Sequence, residues 1–303
     1  MESGVLVLAG PTASGKTELA LELAERFDAE IVSADSRQIY RGMSIGTAAP
    51  TPAQRARVPH HLVDFLDPRE RYSAARFAQD ALTAIAAIQA RGRRALVVGG
   101  TGFYIRALCG DVSLSAAFDP ALRTRLAREA RLHPTQVLYD WLAVRDPDRA
   151  KAVAPSDPYR VVRALEIALT AGRESESGGT AHASLPGAGL KFIKVGLEIA
   201  SEALDERIAS RIDKMLASGL LDEAQRIGAG AIAADAVGYP QALAYLTGQL
   251  TSAELRTLLI RATRRYAKRQ RTWFRSEPSI RFISHEDASN SLARVARELP
   301  GWA

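Results

Sequence analysis

The chain has 303 residues, a formal net charge of +6 and 47% hydrophobic residues. That apolar content is enough for a buried core and excludes disorder as the default state, and no apolar run approaches the roughly 18 residues a membrane span needs. A single cysteine, Cys109, excludes an intramolecular disulfide and a cysteine-based zinc site; it is read as a small buried apolar residue.

The N-terminal segment MESGVLVLAG lacks a basic leader before its short apolar run, so a cytoplasmic protein is expected. VLVLA (Val5 to Ala9) reads as a buried strand and Lys16 to Phe27 as a helix with Leu19, Leu23 and Phe27 on one face. EIVSA (Glu30 to Ala34) is a second strand, residues 74–90 an alanine-rich helix, and ALVVGG (Ala95 to Gly100) a third strand. Strands alternating with helices predict an α/β protein with a parallel, doubly wound sheet. From about residue 118 the pattern becomes helical, through DPALRTRLAREARL, HPTQVLYDWLAV, DPDRAKAV and DPYRVVRALEIALTAG. Each starts at or beside a proline with an acidic or small polar neighbour, the usual way a helix begins. ESESGGTAHASLPGAG (Glu174 to Gly189) is a loop, and LKFIKVGLEI (Leu190 to Ile199) a strand returning to the sheet. Helices follow at 201–217, 219–228, 251–276 and near 287–299. The expected layout is a core of residues 1–117 and 190–303 with a helical insertion at 118–189 and a helical C-terminal part.

Four motifs carry chemistry. GPTASGKT, Gly10 to Thr17, has the spacing of a phosphate-binding loop and lies between a strand and a helix. Its glycines let backbone N–H groups converge on a phosphate, the helix N-terminus adds positive potential, Lys16 neutralises phosphate oxygens and Thr17 is the candidate magnesium ligand. Such a loop recognises a diphosphate, not a nucleotide. An NTPase also needs a carboxylate at a neighbouring strand end, and ALVVGG ends without one. The nearest acid is Asp35, just after the second strand, at the sheet edge where ligands of such folds bind; its structural alternative is a helix cap with Ser36. GGTGFYIRAL (Gly99 to Leu108) makes a tight turn at the same edge, where Thr101 is either a hydrogen-bond donor to the site or a helix cap. Finally, Leu255 to Ser276 holds eight basic residues and no acid. Leu255, Leu258 or Leu259, Ala262, Tyr266, Gln270 and Trp273 define its packed face, and Arg261, Arg264, Arg265, Lys268, Arg271 and Arg275 the other. An acid-free stripe favours an anionic partner over a merely solvated face. Of the 40 basic residues 34 are arginine, which fits nucleic acid but equally a GC-rich genome.

The order GPTASGKT, SADSRQIYRGMSIGTA, VPHHLVDFLDP, LVVGGTGFYIRAL, DPYRVVRALEI, RIDKMLASGLLDEA, VGY, KRQRTWFR resembles the bacterial tRNA dimethylallyltransferases over roughly residues 4–275. The resemblance implies a P-loop nucleotide-kinase-like parallel sheet with a helical insertion. It implies transfer of a dimethylallyl group from dimethylallyl diphosphate to N6 of the adenosine 3′ of the anticodon, position 37, in tRNAs reading UNN codons, with magnesium as the cofactor. By resemblance, Asp35 is the base, Thr101 lies between diphosphate and adenine, and Lys16 and Arg211 act on the diphosphate, with Arg207 as the alternative to Arg211. The diphosphate loop is Gly10, Pro11, Thr12, Ala13, Ser14, Gly15, Lys16 and Thr17. The tRNA is expected at Asp35, Ser36, Arg37, Gln38 and Thr101. Arg123, Tyr159, Arg160, Val161, Val162 and Arg163 are expected to meet the anticodon stem-loop, and Gly238, within Val237 to Gln241, Lys268, Arg269 and Arg275 to contribute. Two positions depart from the pattern. Pro240 stands where a basic residue is common, and Tyr159 where a polar or basic one is. No membrane and no obligate protein partner are expected, and a monomer is the simplest state. The competing readings are a small-molecule kinase, which has no need of the basic helix, and a degenerate NTPase that holds RNA without chemistry, which has no need of intact Lys16, Thr17, Asp35 and Thr101.

Overall fold

The computed structural model describes residues 3–112, 119–170 and 183–303. The chain divides into two compact units, Met1–Val112 with Ala183–Ala303, and Ser113–His182. The first holds a six-stranded, all-parallel sheet in the order β3-β2-β4-β1-β5-β6. In chain order its first part runs β1 (Val5–Ala9), α1 (Lys16–Arg26), β2 (Ala29–Ser33), α2 (Pro52–Arg57), β3 (His60–His61), α3 (Ala74–Ala90), β4 (Arg94–Gly99) and α4 (Gly102–Cys109). β1 is buried at all five positions because a central parallel strand is covered on both faces, and such strands read as unbroken apolar runs. Leu21 and Leu23 of α1 pack with Leu6, Leu8, Leu292 and Trp302 into one layer of the core. Phe77, Ala81, Ile85 and Ile88 form the buried face of α3.

The second unit is the helical insertion, with α5 (Pro120–Leu132), α6 (Thr135–Arg145), α7 (Pro147–Lys151) and α8 (Pro158–Thr170). Its Asp-Pro starts work as the sequence implies. Asp119 accepts from the amides of Ala121 and Leu122, Asp146 from that of Arg149, and Asp157 from that of Arg160. Proline then occupies the first helical position, where its missing N–H costs nothing. Leu126, Leu138, Leu142, Val161 and Leu165 form a separate small core.

The remainder returns through β5 (Phe192–Glu198), then α9 (Ser201–Ala217), α10 (Leu220–Ile227), α11 (Tyr239–Leu246), α12 (Ser252–Arg275), β6 (Ile280–Ser284) and α13 (Ala288–Ala296). Thr251 and Glu254 close a reciprocal capping box at the start of α12. No helix among the described residues is long and apolar enough to cross a membrane.

The structure departs from the sequence reading in several places. β3 and β6 were not expected. β3 is only two residues, and β6, IRFIS, is a half-exposed edge strand in the unassigned gap between the helices read at 251–276 and near 287–299. α2, α4 and α11 are six to eight residues long, too short for helical periodicity to show. The insertion boundary differs on the C-terminal side. Ala183–Gly189 belongs with the sheet, because Leu185 is fully buried and its amide donates to the Leu108 carbonyl at 2.7 Å. Glu174 to His182 of the expected loop lie outside the described residues, as do residues 113–118.

Cys109 is buried at the end of α4, and burial pushes its thiol up to about 12. Because the thiolate is the reactive form, folded protein at pH 8 is expected to react with an aromatic disulfide at least ~100-fold more slowly than urea-unfolded protein. Rapid stoichiometric labelling of the folded chain contradicts this burial.

Candidate active site

The phosphate loop joins β1 to α1. Gly15 has φ 91°, in the left-handed region that favours glycine. Ala13, at φ 61°, holds the same region without that freedom, a local strain of the kind found at ligand-binding loops. The Lys16 side chain folds back over the loop, its Nζ donating to the Pro11 carbonyl at 2.6 Å. The first-turn amides of α1 have no intrahelical acceptors and point out of the helix N-terminus, with the positive end of the helix dipole behind them.

The second wall comes from the ends of β2 and β4. Gly99 is required here, because a Cβ at that position would lie 2.1 Å from the Ala34 carbonyl oxygen. This close approach lets the Thr101 amide donate to Ala34 O at 3.2 Å. Asp35 Oδ1 accepts from the amides of Arg37 (2.9 Å) and Gln38 (3.4 Å), so the carboxylate does stabilise a turn, through one oxygen. Thr101 occupies the cap position of α4 but makes no capping bond to that helix. Its hydroxyl instead accepts from the Ser36 amide at 2.9 Å and donates to Ser36 Oγ at 3.2 Å. The two expected site residues are therefore tied together across two strand ends.

A cavity of about 780 Å³ opens between these walls and helices α9 and α12. Thr12 to Thr17, Asp35, Arg37, Gln38, Arg207, Arg211, Gly238, Tyr266 and Arg269 all line it. Gly10 and Pro11 instead line a neighbouring cavity of about 580 Å³, which shares Arg207. Thr101 lies one residue beyond the wall formed by Gly99 and Gly100.

Two basic side chains, Lys16 and Arg211, and the Asp35 carboxylate share the cavity lining. Burial pulls Lys16 down to about 7; the Asp35 charge opposes that shift and the Arg211 charge adds to it. Arg211 is held below its usual range by burial, with Asp35 again opposing. Thus Lys16, Arg211 and Asp35 interact electrostatically in one site. Both candidate arginines reach the cavity. Arg207 Nη1 bonds the Ser14 carbonyl (3.3 Å) and His285 Nε2 (2.7 Å), whereas Arg211 Nη2 bonds the Thr47 carbonyl (3.3 Å). Arg207 braces the loop and Arg211 faces its lysine.

Sequence reasoning missed the groups that hold this site in shape. Asp235 pairs with both Arg37 guanidinium nitrogens, at 2.6 and 3.2 Å. Gln38 is anchored through its amide to the carbonyls of Thr47 and Ala48 and to Ser33 Oγ. The buried Glu223 carboxylate accepts from the amides of Ile45 and Gly46 and from Tyr239 Oη, fixing the loop that carries Thr47. Gln270, expected only as packing, accepts from the Thr12 amide and donates to the Gly100 carbonyl, both at 2.8 Å.

Along α12, Arg261, Arg264, Arg265, Lys268, Arg269 and Arg275 are exposed, while Leu255, Leu259, Thr263, Ala267, Gln270 and Phe274 are buried. This settles Leu259 over Leu258 for the packed face. The stripe is partly compensated from α9. Arg264 pairs with Asp205 at 3.0 Å and Arg256 with Asp213 at 2.7 Å. Arg271, placed on the open side by its spacing, is half-buried and bonds Ser201 Oγ.

Within the insertion, Tyr159 is 76% exposed and Arg160 pairs with Asp157. Of the residues expected to meet the stem-loop, Val161 has no side chain to offer it. Its side chain is fully buried in the insertion core, because a helix that turns Tyr159 and Arg160 outward turns Val161 inward. Val162 packs against the same core. Arg123 and Arg163 converge on the buried Glu166 carboxylate, at 3.3 and 2.7 Å.

Among the described residues no group of three or more His, Cys, Asp or Glu side chains is placed to hold a metal. The cavity wall does present the Thr17 hydroxyl, which has no partner among the described residues. A single neutral oxygen fits magnesium, which keeps most of its waters and takes its remaining ligands from phosphate oxygens.

This fold and cavity define an α/β protein with a P-loop on one wall of its cavity and the Asp35 carboxylate on the same lining. The IPP transferase family profile matches residues 38–277. A tRNA dimethylallyltransferase of Geobacter sulfurreducens is 40% identical over 98% of this chain and 97% of its own length. One from Thioalkalivibrio sulfidiphilus is 43% identical over 99% and 96%. The crystal structure of a tRNA isopentenylpyrophosphate transferase from Bacillus halodurans superposes with a TM-score of 0.69 at 35% identity, covering 97% of each chain. A eukaryotic dimethylallyltransferase, described as acting on tRNA, gives a TM-score of 0.78 at 26% identity over 96% of this chain and 77% of its own. The chain belongs to the IPP transferase family.

Proposed function

We propose that the protein transfers the dimethylallyl group of dimethylallyl diphosphate to N6 of the adenosine 3′ of the anticodon, position 37, in tRNAs that read UNN codons. The observation that carries this reading is the shared cavity, with Lys16 and the loop amides on one side and Asp35 on the other. As N6 attacks, the N6–C1 bond forms and the allylic C1–O bond breaks. Positive charge grows on the prenyl carbon and negative charge on the departing diphosphate. Lys16, Arg211 and the loop amides hold that diphosphate and stabilise it as it leaves, which is where preorganised donors contribute most. The exocyclic amine is a weak nucleophile because its lone pair is delocalised into the purine. Asp35 takes its proton as the bond forms, through the oxygen not committed to the Arg37 and Gln38 amides. Thr101, tied to Ser36, orients the same edge. Thr17 is the residue that would hold a magnesium ion, which would supply further charge neutralisation to the leaving group.

A base stacked in an anticodon loop cannot reach a recessed diphosphate, so the target adenosine is flipped into the cavity. The exposed face of α12 attracts the RNA backbone, and the Arg37–Asp235 pair at the mouth gives the arginine a carboxylate to exchange for phosphate. Arg123, Arg160 and Arg163 supply cations to the stem-loop, as the family resemblance implies, and Tyr159 an exposed aromatic ring. The tRNA substrate of this reading supports a cytoplasmic location, and a monomer is the simplest working unit for it.

The experiment compares two tRNA transcripts differing only in A or G at the position after the anticodon. Radiolabel from dimethylallyl diphosphate is expected in the A transcript alone. Equal labelling of both, or labelling of neither with ATP consumed by a small acceptor, overturns the reading. The α12 contribution is checked separately. Replacing Arg265 and Lys268 by alanine is expected to weaken tRNA binding and to flatten the log–log salt dependence by about 1.5, at roughly 0.7–0.9 per lost phosphate contact. An unchanged slope makes this face a solvated surface.

A further inference from the structure

We infer that Gln270 is a positioning residue for the transfer reaction, setting the distance between the diphosphate loop and the strand end that carries Thr101; this rests on the function proposed above. Its side chain lies within α12 but makes no bond within that helix. It is buried, and its amide is used at both ends. Oε1 accepts from the Thr12 amide of the phosphate loop and Nε2 donates to the Gly100 carbonyl at the end of β4, each at 2.8 Å.

The geometry leaves little freedom. A Cβ added at Gly100 would sit 2.4 Å from Gln270 Nε2, so the bridge depends on a bare backbone at that point. The Thr12 amide, which belongs to the loop proposed to bind the diphosphate, is assigned to Gln270, as the Ser14 amide is to the Pro11 carbonyl. The bridge therefore fixes which donors the loop presents. On the far side, Gly100 immediately precedes Thr101, whose amide and hydroxyl hold Ala34 and Ser36 on either side of Asp35. One planar amide thus links the group that holds the leaving diphosphate to the turn that carries the base. A carboxylate cannot replace it, since it lacks the donor that Gly100 requires, and an aliphatic chain leaves a half-buried N–H and a buried carbonyl without this partner. In-line transfer depends on the spacing between the two reactants, and misplacement by about 1 Å can cost ~10²-fold in rate. A residue that only packed the core would affect stability, not this spacing.

The test uses Gln270→Met, which keeps the length and removes both bonds. Single-turnover transfer of labelled prenyl group to tRNA, separate dissociation constants for tRNA and dimethylallyl diphosphate, and the melting temperature are measured. The expected result is a fall in single-turnover rate of at least ~30-fold, with tRNA affinity within threefold of the unsubstituted enzyme and the folded fraction unchanged at the assay temperature. A rate within threefold of the unsubstituted enzyme overturns the inference, as does a loss confined to tRNA affinity or to melting temperature. If Gln270→Met does not fold, Gln270→Glu, which keeps the acceptor for Thr12 and sets an acceptor against Gly100, is judged by the same criteria. The unsubstituted enzyme separates the two claims. Its failure to prenylate tRNA removes the proposed function, whereas its activity beside an equally active variant removes only the role of Gln270.

Discussion

Asp35→Asn is expected to lower the rate of prenyl transfer by about 10²–10⁴ while leaving tRNA affinity within a few-fold. Asparagine keeps the oxygen that accepts from the Arg37 and Gln38 amides, so the turn survives and only the proton acceptor is lost. Asp35→Ala removes both, and is expected to add a stability cost of about 0.5–2 kcal/mol for the lost turn bonds. The pair of variants separates chemistry from architecture. If Asp35→Asn weakens tRNA binding as much as it slows turnover, Asp35 is a binding residue and another group takes the proton.

Lys16→Met is the second large effect. The ammonium lies on the loop proposed to hold the leaving diphosphate, and burial disfavours its charge. A bound dianionic or trianionic diphosphate reverses that balance, so the lysine contributes most when negative charge is greatest, at bond breaking. The expected loss is about 10²–10³ in kcat/KM for dimethylallyl diphosphate. Because the substitution removes a charge that burial opposes, the melting temperature of the empty protein is expected to stay level or rise. A parallel fall in melting temperature and activity would mean that Lys16 holds the loop together through Pro11, with no direct part in catalysis.

Local features of the chain were legible because they are written in adjacent residues. β1 is an unbroken apolar run, the Asp-Pro pairs mark helix starts, and glycines with Lys16 and Thr17 mark the loop. The long basic helix was legible from its period and its lack of acids. What could not be read depends on partners distant in the chain. Thr12 and Gln270 are 258 residues apart, and nothing in QRTWF distinguishes a bridging amide from an ordinary buried one. Glu223 reads as a surface acid on an amphipathic helix until the loop at Ile45 and Gly46 is folded onto it. Lys194 sits inside a buried strand, tolerated because Asp111 and Glu277 meet its ammonium at 2.7 and 3.1 Å. β6 escaped notice because five residues at a half-exposed edge carry too little alternation to outweigh the helices around them.

The family resemblance supplied roles that residue patterns alone left open, such as Asp35 as base instead of cap. The structure adds that Asp35 caps the turn through Oδ1 alone, accepting from the Arg37 and Gln38 amides, and that the Arg37 and Gln38 side chains already have partners within the protein. Arg123 and Arg163 share a buried acid, so their guanidiniums are held in fixed positions instead of moving as free surface cations.

The central claim is that the phosphate loop holds an isoprenoid diphosphate whose carbon chain passes to an RNA base. The most direct measurement is the mass of the modified nucleoside after the enzyme, magnesium, dimethylallyl diphosphate and an unmodified tRNA are combined and the RNA is digested. The account predicts an adenosine carrying one five-carbon unsaturated group on N6, formed one-for-one with released diphosphate. Recovery of unmodified adenosine, with ATP hydrolysed or a small acceptor phosphorylated in its place, contradicts it.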